Sequence, residues 1–341
     1  MFPHTVRPIC FCESSLSGRP FRPIQCTLAI YCKLCYNSGI AGVRRPLAVK
    51  ARFCGFKPHF VIVGRRTGNS NSGNLSFKDL KRLRALFIGD VVGAAGCDML
   101  LRHLPSLKKE YGADLVVVNG ENSAEGNGIL PKSADSIFAA GADVITGGNH
   151  SFRRKEIVDY MESHPFLIRP ANYPPGTPGE GMCIVDKGFF TAAVINLLGV
   201  VYLQPNDCPF RTADAMIKRA HDAGAQFIFI DMHAEATSEK KALAMYLDEG
   251  VTAVIGTHTH VRTADATVLS GGTAFISDLG MTGPKNSVLG VEPQLAIDSL
   301  LKKLPVRFKN ASGECILNGC IIEADKKSGL ASSIESFEIC G

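Results

Sequence analysis

Two imidazoles, His258 and His260, stand two residues apart in Gly256-Thr-His258-Thr-His260, directly after the apolar run Ala253-Val254-Ile255. That run reads as a buried strand, so the pair emerges where a strand gives way to a loop. In extended backbone, residues two apart point to the same side, and one metal site, or two adjacent ones, could receive both rings. Other short apolar runs end in donors of the same kind. Asp90 follows 85–89, Glu121 and Asn122 follow 114–119, Asn149 and His150 follow 143–146, and His233 follows 226–230. No thiolate is among them. A mixed carboxylate and imidazole set suits iron, manganese or zinc and argues against a structural cysteine-type zinc site.

Two metal ions held about 3.5–4 Å apart need a bridging anionic ligand and several terminal donors. Glu121 is placed to bridge. Asp90 supplies a terminal carboxylate, Asn149 a carbonyl oxygen, and His233, His258 and His260 three imidazoles. Two dications lower the pKa of a bridging water and neutralise charge building on a phosphoryl group. His150, beside Asn149, could then protonate a leaving oxygen or hold a phosphate oxygen. Singly, each residue has an ordinary structural use: Asp90 as a helix cap, Asn149 in a turn, His233 as a hydrogen-bonded core residue. Their joint placement at strand ends carries the argument.

The elements that must position them follow from the pattern. Amphipathic stretches at 97–110, 132–141, 153–162, 211–223 and 238–249 separate the apolar runs. Strands alternating with helices of this length predict βαβ units around a largely buried sheet. Ligands of such sheets bind beyond the carboxyl ends of the strands. Thr237-Ser238-Glu239 supplies capping residues for the helix after His233. Beyond residue 263 the runs 267–269, 273–276 and 315–317 predict a second, mixed sheet packed against the first. The Pro/Gly-rich segments 169–181 and 278–285 read as loops, either walls of a site or plain connectors. His103, His164 and His221 fall on helices or helix ends and read as surface residues. Cys97 reads as a small buried residue rather than a nucleophile.

The chain of 341 residues is 45% hydrophobic and carries a net charge of +5. That length allows a substantial core in one large domain or two ordinary ones. The charge is unevenly divided. Residues 1–78 hold twelve Lys/Arg and one acid, Glu13, whereas the remainder has six more acids than bases. A mildly acidic body disfavours polymeric nucleic acid as a partner. No apolar run approaches the roughly 20 residues that cross a bilayer, so no membrane partner is expected. The twelve cysteines divide equally around residue 60, and the later six are scattered as in a reducing compartment. Cys32-x-x-Cys35 has no second ligand pair at zinc-site spacing.

Residues 1–80 show no sustained periodicity and are basic and rich in Arg, Ser, Gly and Cys. They read as a disordered extension outside the fold. An acid-poor amino terminus resembles an organelle transit peptide, which implies plastid or mitochondrion; the alternatives are a plain tail or a later start near Met99, with a cytoplasmic protein. The folded domain is expected over 84–341.

Five ordered motifs carry a family resemblance: Gly89-Asp90-Val-Val-Gly93, Asn119-Gly-Glu121-Asn122-Ser-Ala124, Gly148-Asn149-His150, His233-Ala-Glu-Ala-Thr-Ser-Glu239 and Gly256-Thr-His258-Thr-His260-Val261. Together with 277–284 they are similar to the YmdB-like branch of the calcineurin-like metallophosphoesterases, over residues 84 to 340. Glutamate at 121, where most of that superfamily has aspartate, favours this branch. The resemblance implies an α/β fold, a four-layer α/β/β/α sandwich with two mixed sheets, and a di-metal centre of iron or manganese. By motif, Asp90, Glu121 and His260 would bind one metal, and Glu121, Asn149, His233 and His258 the other. Asn122 matches a further residue of the metal site and His150 the catalytic histidine. The family hydrolyses phosphodiesters, best 2′,3′-cyclic nucleotides, and tends to form homo-oligomers. This chain departs from it in its first 80 residues and at 200–204, where a basic residue near the site is expected. Two enzyme readings stand beside that one: a phosphomonoesterase, or an RNA-processing nuclease. From another class, a nucleotide-sensing regulatory protein would hold ligand without fast turnover.

Overall fold

The structure is a computed structural model that describes residues 82–341. In the preceding segment it also describes two three-residue strands, β1 (Thr27–Ala29) and β2 (Ala48–Lys50), which pair antiparallel. Otherwise the expectations attached to residues 1–80, a disordered transit peptide and half a zinc site at Cys32 and Cys35, lie outside the described residues.

The first half of the body follows the expected alternation: β3 (Arg82–Ile88), β4 (Asp90–Val91), α1 (Gly93–Glu110), β5 (Leu115–Asn119), α2 (Pro131–Ala140), β6 (Val144–Thr146), α3 (Ile157–Ser163) and β7 (Leu167–Ile168). The second half continues with β8 (Met182–Asp186), β9 (Thr191–Leu198), α4 (Pro209–Asp222), β10 (Phe227–His233), α5 (Thr237–Tyr246) and β11 (Ala253–Thr257). Then come β12 (Thr267–Val268), β13 (Ala274–Ile276), β14 (Met281–Pro284), α6 (Pro293–Lys302), β15 (Cys315–Asp325) and β16 (Ala331–Cys340). One mixed sheet has the order β4-β14-β15-β3-β5-β6-β7, with β16 along β15; the other has the order β12-β13-β11-β10-β9-β8.

Strands covered on both faces read as continuous apolar runs, and β5 and β10 are buried at every position. Their inner faces meet in a core where Phe87 of one sheet packs on Phe229 of the other, ring centroids 5.4 Å apart. The outer face of the eight-stranded sheet is covered by α1, α2 and α3, and that of the six-stranded sheet by α4 and α5. The result is the expected α/β/β/α sandwich. In α1 the buried residues Gly93, Gly96, Cys97, Leu100, Leu104 and Leu107 recur at helical spacing and form the stripe that docks it. Among the described residues no helix is long and apolar enough to cross a membrane.

Several local expectations need correction. The second sheet is not made by the tail: its centre is β9, β10 and β11, and the tail divides, β12 and β13 joining it while β14, β15 and β16 join the first. Segment 278–285 is not all loop, because Met281–Pro284 pairs with both β4 and β15. Helix α5 has Ala236 as its N-cap and no side-chain cap. Glu239 instead turns away and accepts the N–H groups of Val200 (3.0 Å) and Val201 (3.3 Å). His103 and His164 are half-buried, and only His221 is exposed. Cys97 is buried, and burial pushes its thiol up to about 11, so it is inert.

Candidate metal centre

The donors singled out in the sequence come from both sheets and meet at the seam between them. The eight-stranded sheet delivers Asp90 in β4, Glu121 and Asn122 two and three residues past β5, and Asn149 and His150 past β6. The six-stranded sheet delivers His233 as the last residue of β10, and His258 and His260 just past β11. Ligands of α/β sheets bind beyond the carboxyl ends of the strands, and Glu121, Asn149, His233 and His258 all lie at such ends.

His233 is the hub. Its Nε2 lies 3.0 Å from Glu121 Oε1, 3.1 Å from Asn149 Oδ1 and 3.1 Å from His258 Nδ1. One donor atom each from Glu121, His233 and His258 fall within 4.8 Å of one another, close enough to share an ion. Asp90 sits on the other side. Its Oδ2 accepts the backbone N–H of His258 (3.1 Å), and its Oδ1 has His260 Nε2 at 3.7 Å and His233 Nδ1 at 3.9 Å. Both are beyond hydrogen-bonding distance. Asn122 links the halves: its Nδ2 donates to Glu121 Oε1 (3.0 Å) and lies 3.2 Å from His260 Nε2, while its Oδ1 lies 3.0 Å from His150 Nδ1. The His150 side chain is 27% exposed at the mouth, and its backbone N–H donates to Glu121 Oε2 (2.9 Å).

Two carboxylates are buried here, Asp90 at 0% and Glu121 at 1% exposure, and among the described residues neither has a lysine or arginine partner. Burial would raise both pKa values. The charges of His260 and His233 outweigh it at Asp90, and the charge of His233 with bonds from His150 and His233 outweighs it at Glu121, which lies well below the usual carboxylate range. Burial works against a charged His233 too, but Glu121, Asp90 and Asp231 hold its pKa up at about 9. Burial and the His233 charge push His258 down to about 4. Asp90 Oδ1 is buried and, among the described residues, has no hydrogen-bond partner. An unpartnered carboxylate oxygen costs about 1–3 kcal/mol or more. Oxygen and nitrogen donors converging around that orphan fit a metal pair with carboxylate and imidazole ligands.

The imidazoles are also turned correctly. The outward nitrogen of each is engaged: His233 Nδ1 by Thr257 Oγ1 (2.9 Å), His258 Nε2 by Glu235 Oε2 (3.1 Å), and His260 Nδ1 by the carbonyl of Leu289 (3.0 Å). That leaves His233 Nε2, His258 Nδ1 and His260 Nε2 facing inward, as second partners do in metal sites. The extended backbone expected for 258–260 is absent. His258 and His260 have φ of 103° and 62°, a left-handed geometry that costs a side-chain-bearing residue about 1–3 kcal/mol. One ring therefore points at His233 and the other at Asp90. Asp278 holds the intervening turn, its Oδ2 accepting both the Thr259 N–H (2.9 Å) and the buried Lys240 ammonium (2.8 Å). Gly148 supplies the room: a Cβ there would fall 2.3 Å from Glu121 Oε2 and 2.4 Å from His233 Nε2.

Sequence reasoning passed over Glu235, Tyr173 and Asp231. Glu235 lies two residues past His233, a spacing that was visible. Tyr173 donates its hydroxyl to the Gly148 carbonyl (3.3 Å) from within the Pro/Gly loop, so that loop does wall the site. Asp231 is a carboxylate inside the otherwise apolar run of β10, which was the available signal. No basic side chain is positioned by 200–204, whose backbone is instead held by Glu239.

Residues 86–337 match the model of the YmdB-like protein family. A 2′,3′-cyclic-nucleotide 2′-phosphodiesterase of Bacillus subtilis (strain 168) is 47% identical over 257 residues, 75% of this chain and 97% of the relative. Among solved structures, a hypothetical protein from Thermus thermophilus matches with TM-score 0.71 at 38% identity, covering 76% of this chain and 99% of that one. The structure of a phosphatase from Mycoplasma pneumoniae matches with TM-score 0.72 at 32% identity, covering 76% and 94%. The motifs, the sandwich and these matches agree: the chain belongs to the YmdB-like family.

Proposed function

We propose that this protein is a di-metal phosphodiesterase that hydrolyses 2′,3′-cyclic nucleotides. The carrying observation is the buried Asp90 Oδ1, without a hydrogen-bond partner among the described residues and with His260 and His233 at 3.7 and 3.9 Å, beside the Glu121, His233 and His258 cluster and the partly exposed His150. The named activity of the 47% identical relative supports the substrate class. Glu121, Asn149, His233 and His258 would hold one ion, and Asp90, Glu121 and His260 the other, iron or manganese being suited to that set. Such ions supply Lewis acidity toward phosphoryl oxygens and lower the pKa of water.

The chain's own residues perform the rest. Hydrolysis of the cyclic phosphate forms a P–O bond to a water oxygen and breaks one ring P–O bond; the water gives up one proton and the departing alkoxide takes one up. With its Nδ1–H donated to Asn122 Oδ1, His150 turns Nε2 to the mouth of the site, where a proton carried on that nitrogen would serve the transfer. Asn122 is thereby a positioning residue for His150 as well as a neighbour of Glu121. Tyr173 and the loop it belongs to hold the turn that carries Asn149 and His150.

The test is elemental analysis of protein purified without added metal, followed by assay on 2′,3′-cyclic AMP. Glu121→Gln should lose most bound metal and activity. His150→Ala should keep metal and lose about 10²–10⁴-fold in rate, the usual worth of a general acid. Normal turnover by both variants would refute the mechanism. Phosphomonoester hydrolysis is the second reading, favoured by the phosphatase structure at 32% identity; a monoester in the same panel decides it.

Three expectations attach to this reading. The acidic body disfavours polymeric RNA as substrate. A homo-oligomer is expected, which light scattering would measure. The composition of residues 1–78 favours organellar import over a cytoplasmic location, testable by fusing that segment to a fluorescent protein.

A further inference from the structure

Asp231 is a buried carboxylate, 2% exposed, that the mechanism above does not use. It touches no candidate ligand directly, yet it gathers the ends of the strands that carry four of them. Its Oδ1 accepts the Thr257 hydroxyl (2.6 Å), and its Oδ2 accepts the Thr146 hydroxyl (2.5 Å) and the Asn119 amide (3.0 Å). Asn119 ends β5, ahead of Glu121; Thr146 ends β6, ahead of Asn149; Thr257 ends β11, ahead of His258; Asp231 itself precedes His233. Two of these strands belong to one sheet and two to the other.

The proton count along the shortest path has one solution. A carboxylate only accepts, so the single proton of the Thr257 hydroxyl is spent on Asp231. Thr257 Oγ1 must then accept at its other contact, His233 Nδ1, 2.9 Å away. Nδ1 therefore keeps its proton, and the nitrogen left to give one up to an incoming metal is Nε2, which faces Glu121, Asn149 and His258. Asn119 does not compete: its Nδ2 stands 3.4 Å from Nδ1, and its two protons go to nearer acceptors, the Gly147 carbonyl and Asp231 Oδ2, each 3.0 Å away.

We propose that Asp231, acting through Thr257, is the positioning residue that fixes the tautomer and ring orientation of His233 for metal binding. The proposal rests on the di-metal reading above. Partners of this kind are worth about 10–100-fold in metal affinity.

The test uses the full chain stripped of metal and titrated calorimetrically with Mn²⁺, comparing wild type, Thr257→Val, Thr257→Ser and Asp231→Asn. Valine keeps the shape and removes the relay; serine keeps the hydroxyl and removes a methyl. Thr257→Val and Asp231→Asn are expected to weaken Mn²⁺ binding about 10–100-fold, and Thr257→Ser to stay within about 3-fold of wild type. Equal affinity in Thr257→Val and wild type would overturn the relay while leaving the metal site standing. So would a Thr257→Ser that binds Mn²⁺ about 10-fold or more weaker than wild type, a comparison that needs no valine variant and stands even if valine prevents folding. A wild-type chain that takes up no Mn²⁺ would overturn the underlying reading instead.

Discussion

Gly148→Ala isolates the space between Glu121 and His233 without removing any donor. The added methyl would sit 2.3 Å from Glu121 Oε2 and 2.4 Å from Nε2 and Cδ2 of His233. Carbon contacts are comfortable from about 3.5 Å, so carboxylate and imidazole must retreat by about 1 Å together. Those obstacles are side-chain ends, not backbone, and Gly148 lies outside the left-handed region; the fold should survive. A misplacement of about 1 Å among positioning groups costs about 10²-fold, equivalent to about 2.7 kcal/mol of transition-state stabilisation. The assay is kcat/KM on 2′,3′-cyclic AMP beside metal content and urea unfolding of the metal-free protein. Metal content should fall and kcat/KM drop about 10²-fold, with stability changed by less than about 1 kcal/mol. A variant with wild-type metal content and kcat/KM within about 3-fold would refute the assignment of this gap as the seat of the ions.

Protons and metal compete for the same atoms. In the metal-free site Glu121, Asp90 and Asp231 overcome burial and hold the His233 pKa at about 9, so loading at neutral pH must expel its proton. Binding enthalpy should therefore vary with the ionisation enthalpy of the buffer, and affinity should weaken as pH falls from about 9; a buffer-independent enthalpy would contradict this. Lys240→Met strands the Asp278 carboxylate, both partners being within 1% of full burial. Breaking a buried pair from one side costs about 3–5 kcal/mol, and the two backbone N–H bonds that Asp278 keeps place the expectation near the lower end. Urea unfolding that moved by less than about 1 kcal/mol would show that Asp278 does not need its lysine.

The parts of this fold legible in the sequence are those in which one strand is buried on both faces and stops at a polar residue. Leu115–Asn119 and Phe227–His233 were visible for that reason, and their ends located Glu121 and His233. Thr191–Leu198 is as apolar, but a short unbroken apolar run does not distinguish strand from helix, and β8, which pairs with it, alternates only weakly. Met281–Pro284 has turn-like glycine and proline; only its neighbours β4 and β15 make it a strand, a tertiary effect with no local trace. In the site, donor types were readable whereas their directions were not. The positive φ of His258 and His260 depends on Asp90 and Asp278, which grip this turn through contacts 168 and 19 positions apart in the chain. Asp231 was hidden because its partners Asn119, Thr146 and Thr257 come together only when the two sheets meet.

That the donors are shared between the two sheets has a thermodynamic corollary. Were the proposed metals ligated from both sheets, their binding free energy would also be energy of sheet-to-sheet cohesion. A bound metal at about 100 times its Kd adds about 2.7 kcal/mol to a native state, and here that increment would fall on the joint itself, acting as a rivet through both plates. Chelation should accordingly loosen protection from hydrogen exchange along β5 and β10 together, far from the mouth of the site, rather than fraying one loop.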